Sequence, residues 1–349
     1  MSTTNDATMT PAPWLQRQLA QLLAQRGHAL LLAGPSGLGQ YELALALARA
    51  WLCERPTPAG ACGQCASCHA IDVRTHPDLC VLMPETVALE TGWPLGEDAQ
   101  KDLDDKKRKP SKFIRVEATR EAIAFAQMTQ ARGQGKVVLV YPAERMNVES
   151  ANTLLKTLEE PAGPLRFVLA TEAVHQLLPT IRSRCQMHVL SWPDEDEARA
   201  WLRQAALARA LKGAEDEREV ATWLRAAGGR PSDALELALL GLRAERWDRL
   251  PSDVARGDWS AMADWPPARQ LDTLRKLCHD LQAVTAGGRP RYFEAARLPG
   301  PVHPRRLAAW AKELLQAARS VEHPYQAGLL QEAWAVRAQR ALSRYTPRP

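Results

Sequence analysis

Apolar residues at Trp14, Leu15, Leu19, Leu22 and Leu23 repeat at the spacing of one helical face, which predicts a helix over residues 14–26. A short apolar run, His28 to Ala33, then leads into Gly34-Pro35-Ser36-Gly37-Leu38-Gly39. An Ala/Leu-rich stretch follows and predicts a long helix from Tyr41 to Cys53. Further on, Leu79–Met83, Lys136–Tyr141 and Arg166–Thr171 read as strands; the middle one is the Val/Leu type that parallel sheets bury on both faces. Helices are expected over 119–132 and over 150–160, where Pro161 ends the second. This alternation over residues 1–190 predicts a doubly wound α/β domain with a parallel sheet.

The pattern changes after Pro193, where strand signals vanish and Ala/Leu/Arg-rich helical periods run to the end. Gly228-Gly229-Arg230-Pro231, Pro251, Pro266-Pro267 and the segment from Pro299 to Pro304 break this region. The expected organisation is an α/β domain over 1–192, a small all-α domain over 193–243 and an all-α C-terminal domain over 244–349. No fixed-period repeat is evident. Residues 84–112 carry Pro, Gly and an acidic-then-basic run from Asp102 to Lys109, and read as an exposed, mobile loop. That run is expected to be a solvated face rather than a DNA contact.

The 349 residues suit two or three domains, and a 46% hydrophobic content is enough to bury their cores. A formal charge of +5 permits a nucleic-acid partner without demanding one. No apolar run approaches the roughly 20 residues of a membrane span. Met1 to Thr10 is polar and lacks a signal-peptide core, so a cytoplasmic chain is the simplest expectation. Seven cysteines in a reducing compartment then suggest metal or free thiols rather than disulfides.

The loop at 34–41 has the glycine framework of a phosphate-binding loop, but its two chemical positions are changed. The working pattern G-x-x-x-x-G-K-[ST] uses lysine on the β/γ-phosphates and a small hydroxyl on magnesium. Here Gln40 and Tyr41 occupy those places. Gly34, Gly37 and Gly39 keep the backbone scaffold, but without the lysine and the small hydroxyl productive ATP binding is not expected. Weak phosphate binding, or a turn that only packs a helix on the sheet, are the remaining readings. The second element of such a site is a hydrophobic strand ending in carboxylates. Val137-Val138-Leu139-Val140 instead runs into Tyr141-Pro142, and Glu144 two residues beyond is expected to point elsewhere.

Cys53, Cys62, Cys65 and Cys68 have the spacing C-x8-C-x2-C-x2-C. Four thiolates suit structural zinc, with an iron–sulfur cluster as the alternative. Zinc is preferred because the fourth thiol lies upstream at a helix end and no Cys-Pro ending follows. His69 and His76 read as ordinary polar residues, and Cys80, Cys185 and Cys278 as isolated thiols. Ser183-Arg184-Cys185 is expected to follow a fifth apolar strand by a helix and a turn. An arginine displayed at a domain edge in an oligomeric ATPase can enter a neighbour's site as an arginine finger.

These residues occur in a telling order. Pro13-Trp14 opens, the glycine loop and the four-cysteine insert follow, and then comes the block Ser150-Ala151-Asn152-Thr153-Leu154-Leu155-Lys156-Thr157-Leu158-Glu159-Glu160-Pro161. Leu169-Ala170-Thr171 and Ser183-Arg184-Cys185 complete the series. The chain resembles the bacterial clamp-loader subunits of the AAA+ family, and within them the delta-prime subunits of DNA polymerase III. The match is dense over 13–82 and 113–190 and looser through the helical region. The resemblance implies an AAA+ core on a P-loop-type parallel sheet, with a zinc module over 53–68, a small helical lid and a collar for oligomerisation. It implies a non-hydrolysing stator among gamma/tau and delta subunits that helps load a sliding clamp onto primed DNA, associated with the nucleoid and replisome. It also implies Arg184 as a finger offered to ATP on a neighbouring gamma/tau subunit, Cys53, Cys62, Cys65 and Cys68 as zinc ligands, and Ser232 where active relatives carry a nucleotide-sensing arginine. An active gamma/tau-type ATPase and a free-standing zinc-dependent DNA-binding protein are the competing expectations.

Overall fold

The computed structural model describes residues 11–318, 321 and 327–343. The polar stretch Met1 to Thr10 lies outside the described residues, as does the end of the expected C-terminal domain. The chain forms two compact units, residues 1–193 and 194–349.

The first unit is the expected α/β layer structure. Its elements are α1 (Pro13–Leu23), β1 (Ala29–Ala33), α2 (Gln40–Leu52), α3 (Ala66–Asp72), β2 (Leu79–Leu82), α4 (Glu85–Thr91), α5 (Glu97–Asp104), α6 (Val116–Gln127), β3 (Lys136–Val140), α7 (Val148–Glu159), β4 (Leu165–Thr171), α8 (Pro179–Arg182) and β5 (Gln186–Val189). The strands form one sheet in the order β2-β3-β4-β1-β5, and every pairing is parallel. β1 and β3 are buried at every position, which is why both read as unbroken Leu or Val runs instead of alternating. One face of the sheet packs Leu31, Val138, Val140, Phe167 and Leu169 against Leu154 and Leu158 of α7 and Ala122 and Ala126 of α6.

The register fixes where chemistry can occur. Ala33 lies opposite Thr171, and Val140 opposite Leu169, so β1, β3 and β4 end side by side. The glycine loop, Tyr141 and Glu172 therefore share the carboxyl edge of the sheet, where open α/β sheets place their ligands.

Two expectations are corrected. Ser183-Arg184-Cys185 follows the fourth strand, and the fifth, β5, begins directly after it. β5 escapes hydrophobic reading because it is a short edge strand with Gln186, Met187 and Val189 exposed. Residues 84–112 are not simply a loop. They hold α4 and α5, closed at the base by Glu85, whose carboxylate accepts from Arg108 Nη2 at 2.8 Å and from the Ser111 N–H at 2.7 Å. α5 buries no residue, so no apolar period marks it. Of the charge run, Lys106 and Lys107 are exposed as expected, but Arg108 is turned inward onto Glu85.

The second unit is all-helical: α9 (Glu195–Ala208), α10 (Glu217–Ala226), α11 (Pro231–Leu239), α12 (Ala244–Arg256), α13 (Pro267–Thr285), α14 (Pro304–Ala318) and α15 (Ala327–Leu342). One hydrophobic cluster runs from Ala198 to Leu342, across the expected boundary at 243/244. Two of its tryptophans bond their polar edge: Trp223 Nε1 donates to Leu242 O at 2.8 Å and Trp247 Nε1 to Tyr292 O at 3.0 Å. Trp247 also stacks on Phe293 at 4.5 Å. The fully buried Asp280 is tolerated because it accepts the backbone N–H groups of Arg291, Tyr292 and Phe293.

Candidate functional site

A phosphate loop works by leaving backbone N–H groups and a helix N-terminus facing an empty cradle. The scaffold for this is intact. Gly39 precedes α2 at φ +99°, a left-handed conformation, and a Cβ there would come within 2.6 Å of Leu15 Cδ1, so only glycine fits. Trp14 of the opening helix holds the loop from behind, its Nε1 donating to Leu38 O at 3.0 Å.

The residue in the lysine's place is turned back onto the loop itself. The Gln40 side chain, 2% exposed, folds back over the loop and donates through Nε2 to Gly34 O at 2.7 Å and Pro35 O at 2.6 Å. An amide that satisfies the loop's own carbonyls brings no positive charge for a polyphosphate. Beside it, Tyr41 and Tyr141 lie with ring centroids 5.2 Å apart, where a magnesium-anchoring hydroxyl and a carboxylate would be needed. The Tyr41 hydroxyl accepts from Trp93 Nε1 at 2.5 Å, and the Tyr141 hydroxyl donates to Glu172 Oε1 at 2.9 Å. Burial raises both phenols above their ordinary value, so neither offers a phenolate to a metal.

Three residues of this arrangement were not anticipated as site residues. Trp93 comes from the 84–112 segment, which thereby gains a structural role: it caps Tyr41. A lone tryptophan in a polar stretch was the available signal. Glu172 and Glu144 bring carboxylates to the strand ends from other positions, although the strand after Val140 lacks them. Glu144 is turned toward the end of β4, where Oε2 accepts from Thr171 Oγ1 at 2.7 Å and Oε1 from the Glu172 N–H at 3.2 Å.

The cysteines present the opposite situation. Cys53 ends α2 and Cys65 caps α3, with Cys62 and Cys68 completing the set. The four sulfurs lie within 4.8 Å of one another, and Cys53 Sγ is 3.8 Å from both Cys65 Sγ and Cys68 Sγ. A tetrahedron with Zn–S bonds of about 2.3 Å has sulfur–sulfur edges of about 3.8 Å, whereas a disulfide needs about 2.05 Å. The donor set and its spacing therefore fit a four-coordinate zinc with no open position. Backbone N–H groups already point at the sulfurs, from Cys62 to Cys53 at 3.3 Å and from Cys68 to Cys65 at 3.4 Å. The Gln64 N–H draws the Cys62 thiol down to about 6, while burial pushes the Cys68 thiol up to about 12. Only a cation makes so unequal a set uniformly thiolate. Glu54 braces the loop by accepting the N–H and Oγ of Ser67 at 3.0 Å each, and pairs with Arg132 at 3.3 Å. His69 and His76 are not part of the cluster.

Arg184 stands after α8, with Ser183 exposed and Cys185 half-buried beside it. Burial pushes the Cys185 thiol up to about 12, which makes it an inert neighbour. The Arg184 side chain is 29% exposed and its guanidinium is paired with Glu159 of α7, while Nη1 donates to Thr180 O at 2.9 Å. The residues read as a site thus fall into three separate groups of the first unit: a glycine loop bonded by Gln40, a convergent sulfur cluster and a partly exposed arginine. In the second unit, Ser232 sits in the first turn of α11, and the nearby Arg230 is committed to Asp233 at 2.8 Å. Among the described residues no helix is long and apolar enough to cross a membrane.

A family profile described as "DNA polymerase III, delta subunit" matches residues 13–193. The chain is 39% identical over 236 residues to DNA polymerase III subunit delta' of Pseudomonas aeruginosa, an alignment covering 67% of this chain and 63% of that one. It is 33% identical over 262 residues to subunit delta' of Escherichia coli, covering 72% and 68%. Subunit tau of Escherichia coli is 31% identical over 210 residues, covering 60% of this chain but 28% of tau. Among solved structures, a DNA polymerase III gamma subunit-related protein of Thermotoga maritima aligns over 94% of this chain and 99% of its own, at 16% identity and a TM-score of 0.46. On the strength of the profile match and the delta' relatives, this chain belongs to the DNA polymerase III delta-prime family.

Proposed function

We propose that this chain is a non-hydrolysing subunit of a DNA polymerase III clamp loader, acting as a rigid stator beside gamma/tau-type and delta subunits while a sliding clamp is placed on primed DNA. The observation that carries this reading is the altered loop, with Gln40 bonded to Gly34 O and Pro35 O and the Tyr41–Tyr141 pair lying where magnesium chemistry would occur. An active gamma/tau-type ATPase would need lysine, a small hydroxyl and a free strand-end carboxylate in those places. Similarity to tau therefore reflects shared architecture rather than shared catalysis.

Arg184 is the chemistry that remains. Its guanidinium is permanently charged, forks onto phosphate oxygens and is displayed after a short surface helix, as a group acting in trans requires. In a neighbouring ATP site it would stabilise the charge that develops on the γ-phosphoryl group. Zinc held by Cys53, Cys62, Cys65 and Cys68 has a structural role and takes part in no step. The helical unit supplies the lid, over 193–243, and the collar, over 244–349. DNA held by such a complex is recognised through its phosphate backbone and shape, without base readout by this chain.

The test is a clamp loader reconstituted with Arg184→Ala. DNA-stimulated ATP hydrolysis at the neighbouring site is expected to fall by up to about 10³-fold, with total turnover falling less because other sites continue. A rate equal to wild type would remove Arg184 from the mechanism.

A further inference from the structure

We infer that Glu159 is a positioning residue for Arg184, holding the guanidinium in the orientation in which it meets a neighbour's phosphate. This rests on the reading of Arg184 as a trans-acting group.

Glu159 lies in the last turn of α7, next to the negative end of the helix dipole, where a carboxylate is locally disfavoured. Its compensation is Arg184: both Nε and Nη2 are directed at Glu159 Oε1. Nη1 is held on the other side by Thr180 O at 2.9 Å. All three guanidinium nitrogens are therefore engaged within the chain, yet the side chain remains 29% exposed. Nη1 also lies 3.4 Å from Ser183 Oγ, so four of the five guanidinium N–H donors are engaged and one on Nη2 is left for an outside acceptor.

Both anchors are rigid. The Arg184 N–H bonds Ile181 O at 3.1 Å, and Ile181 and Leu158 are fully buried in the same hydrophobic cluster. Leu158 O, adjacent to Glu159, lies 3.0 Å from His28 Nε2; a carbonyl can only accept, so that ring nitrogen carries the proton. The end of α7 is thus tied to the start of β1. An untethered arginine carries about 2 kcal/mol of rotamer entropy, part of which must be given up whenever it docks. A carboxylate on a fixed helix end removes that cost before the neighbour arrives.

The experiment compares steady-state ATP hydrolysis by reconstituted clamp loaders carrying wild type, Glu159→Ala, Glu159→Gln, Arg184→Ala and the double alanine variant, in the presence of clamp and primed DNA. An exposed ion pair contributes at most about 1 kcal/mol, so Glu159→Ala is expected to lower kcat by about two- to fivefold with KM for ATP little changed. Glu159→Gln keeps an acceptor oxygen and should recover part of the loss. The double variant should be no slower than Arg184→Ala alone. Zinc content and the urea unfolding midpoint of Glu159→Ala should match wild type, which separates positioning from misfolding. An unchanged kcat, or a raised one as for a carboxylate that competes with phosphate, overturns the inference while leaving the Arg184 reading intact if Arg184→Ala is slow. If Arg184→Ala is itself as fast as wild type, both fail.

Discussion

The glycine loop and the cysteine cluster lie on the two ends of the same helix, α2, and both carry the residue pattern of a ligand site. Their interiors differ. At the loop, polar groups that would face a ligand have been paired with the chain: the Gln40 amide with two carbonyls, Tyr41 with Trp93, Tyr141 with Glu172. At the other end, four sulfurs converge at tetrahedral spacing. A motif reports the scaffold of a site. Whether the site is used is decided by whether its polar groups converge on an outside partner or on one another.

The largest expected effect is at the cysteines. Purified without added metal, the chain should carry about one zinc, and Cys65→Ser should remove it, since structural zinc contributes on the order of 10 kcal/mol of binding free energy. Hydrogen exchange should then quicken over residues 53–68 while the helical unit is unaffected. Iron with a visible absorption band would overturn the choice of metal, and global loss of the helical unit would contradict a local role.

Next is Trp93, which caps Tyr41 and is 8% exposed. Trp93→Ala should destabilise the α/β unit by about 3–5 kcal/mol in urea unfolding. ATP binding gained by that variant would mean the aromatic set was a removable plug over a working cradle.

A smaller change is expected from Gln40→Lys. Restoring the lysine replaces a hydrogen-bonded amide with a buried charge and should cost about 1–3 kcal/mol. Hydrolysis should not return, because Tyr41, Tyr141 and Pro142 remain. Measurable turnover would show that the loop lacked only its cation.

The smallest effect concerns the base of the 84–112 segment. Burial pushes the Glu85 carboxyl up, but hydrogen bonds from Arg108 and the Ser111 N–H outweigh it, and the group ends below its ordinary value of 4.5. A depressed folded-state value means that the stabilisation is present above 4.5 and is lost as pH falls through the lower folded value. Hydrogen exchange over 84–112 should therefore quicken only below that pH, and a transition near neutrality would point to another group.

The sheet was legible because β1 and β3 are buried at every position and read as Leu or Val runs, and β4 is buried at every position but Arg166. β5 was not, since an edge strand with Gln186, Met187 and Val189 in solvent obeys no apolar rule. The helices of 84–112 were hidden for a related reason. α5 buries nothing, and Pro84, Gly92, Pro94 and Gly96 broke the pattern around it. At the site, the changes at Gln40, Tyr41 and Tyr141 could be read directly, as could the four cysteines. Trp93, Glu172 and Glu159 could not, because each acts through a partner 52, 31 or 25 residues away in sequence. Pairings at such separation follow from the strand register, which local patterns do not encode.

We propose that the loop, with Gln40 turned onto its own carbonyls and Tyr41 and Tyr141 beside it, binds no nucleotide productively. The most direct test is equilibrium titration of the purified wild-type chain with labelled ATP and magnesium, with a gamma/tau-type ATPase as the positive control. The expected result is no saturable binding by this chain under conditions that saturate the control. Stoichiometric, magnesium-dependent binding, with Gln40 and Tyr41 displaced from their present partners, would contradict the account.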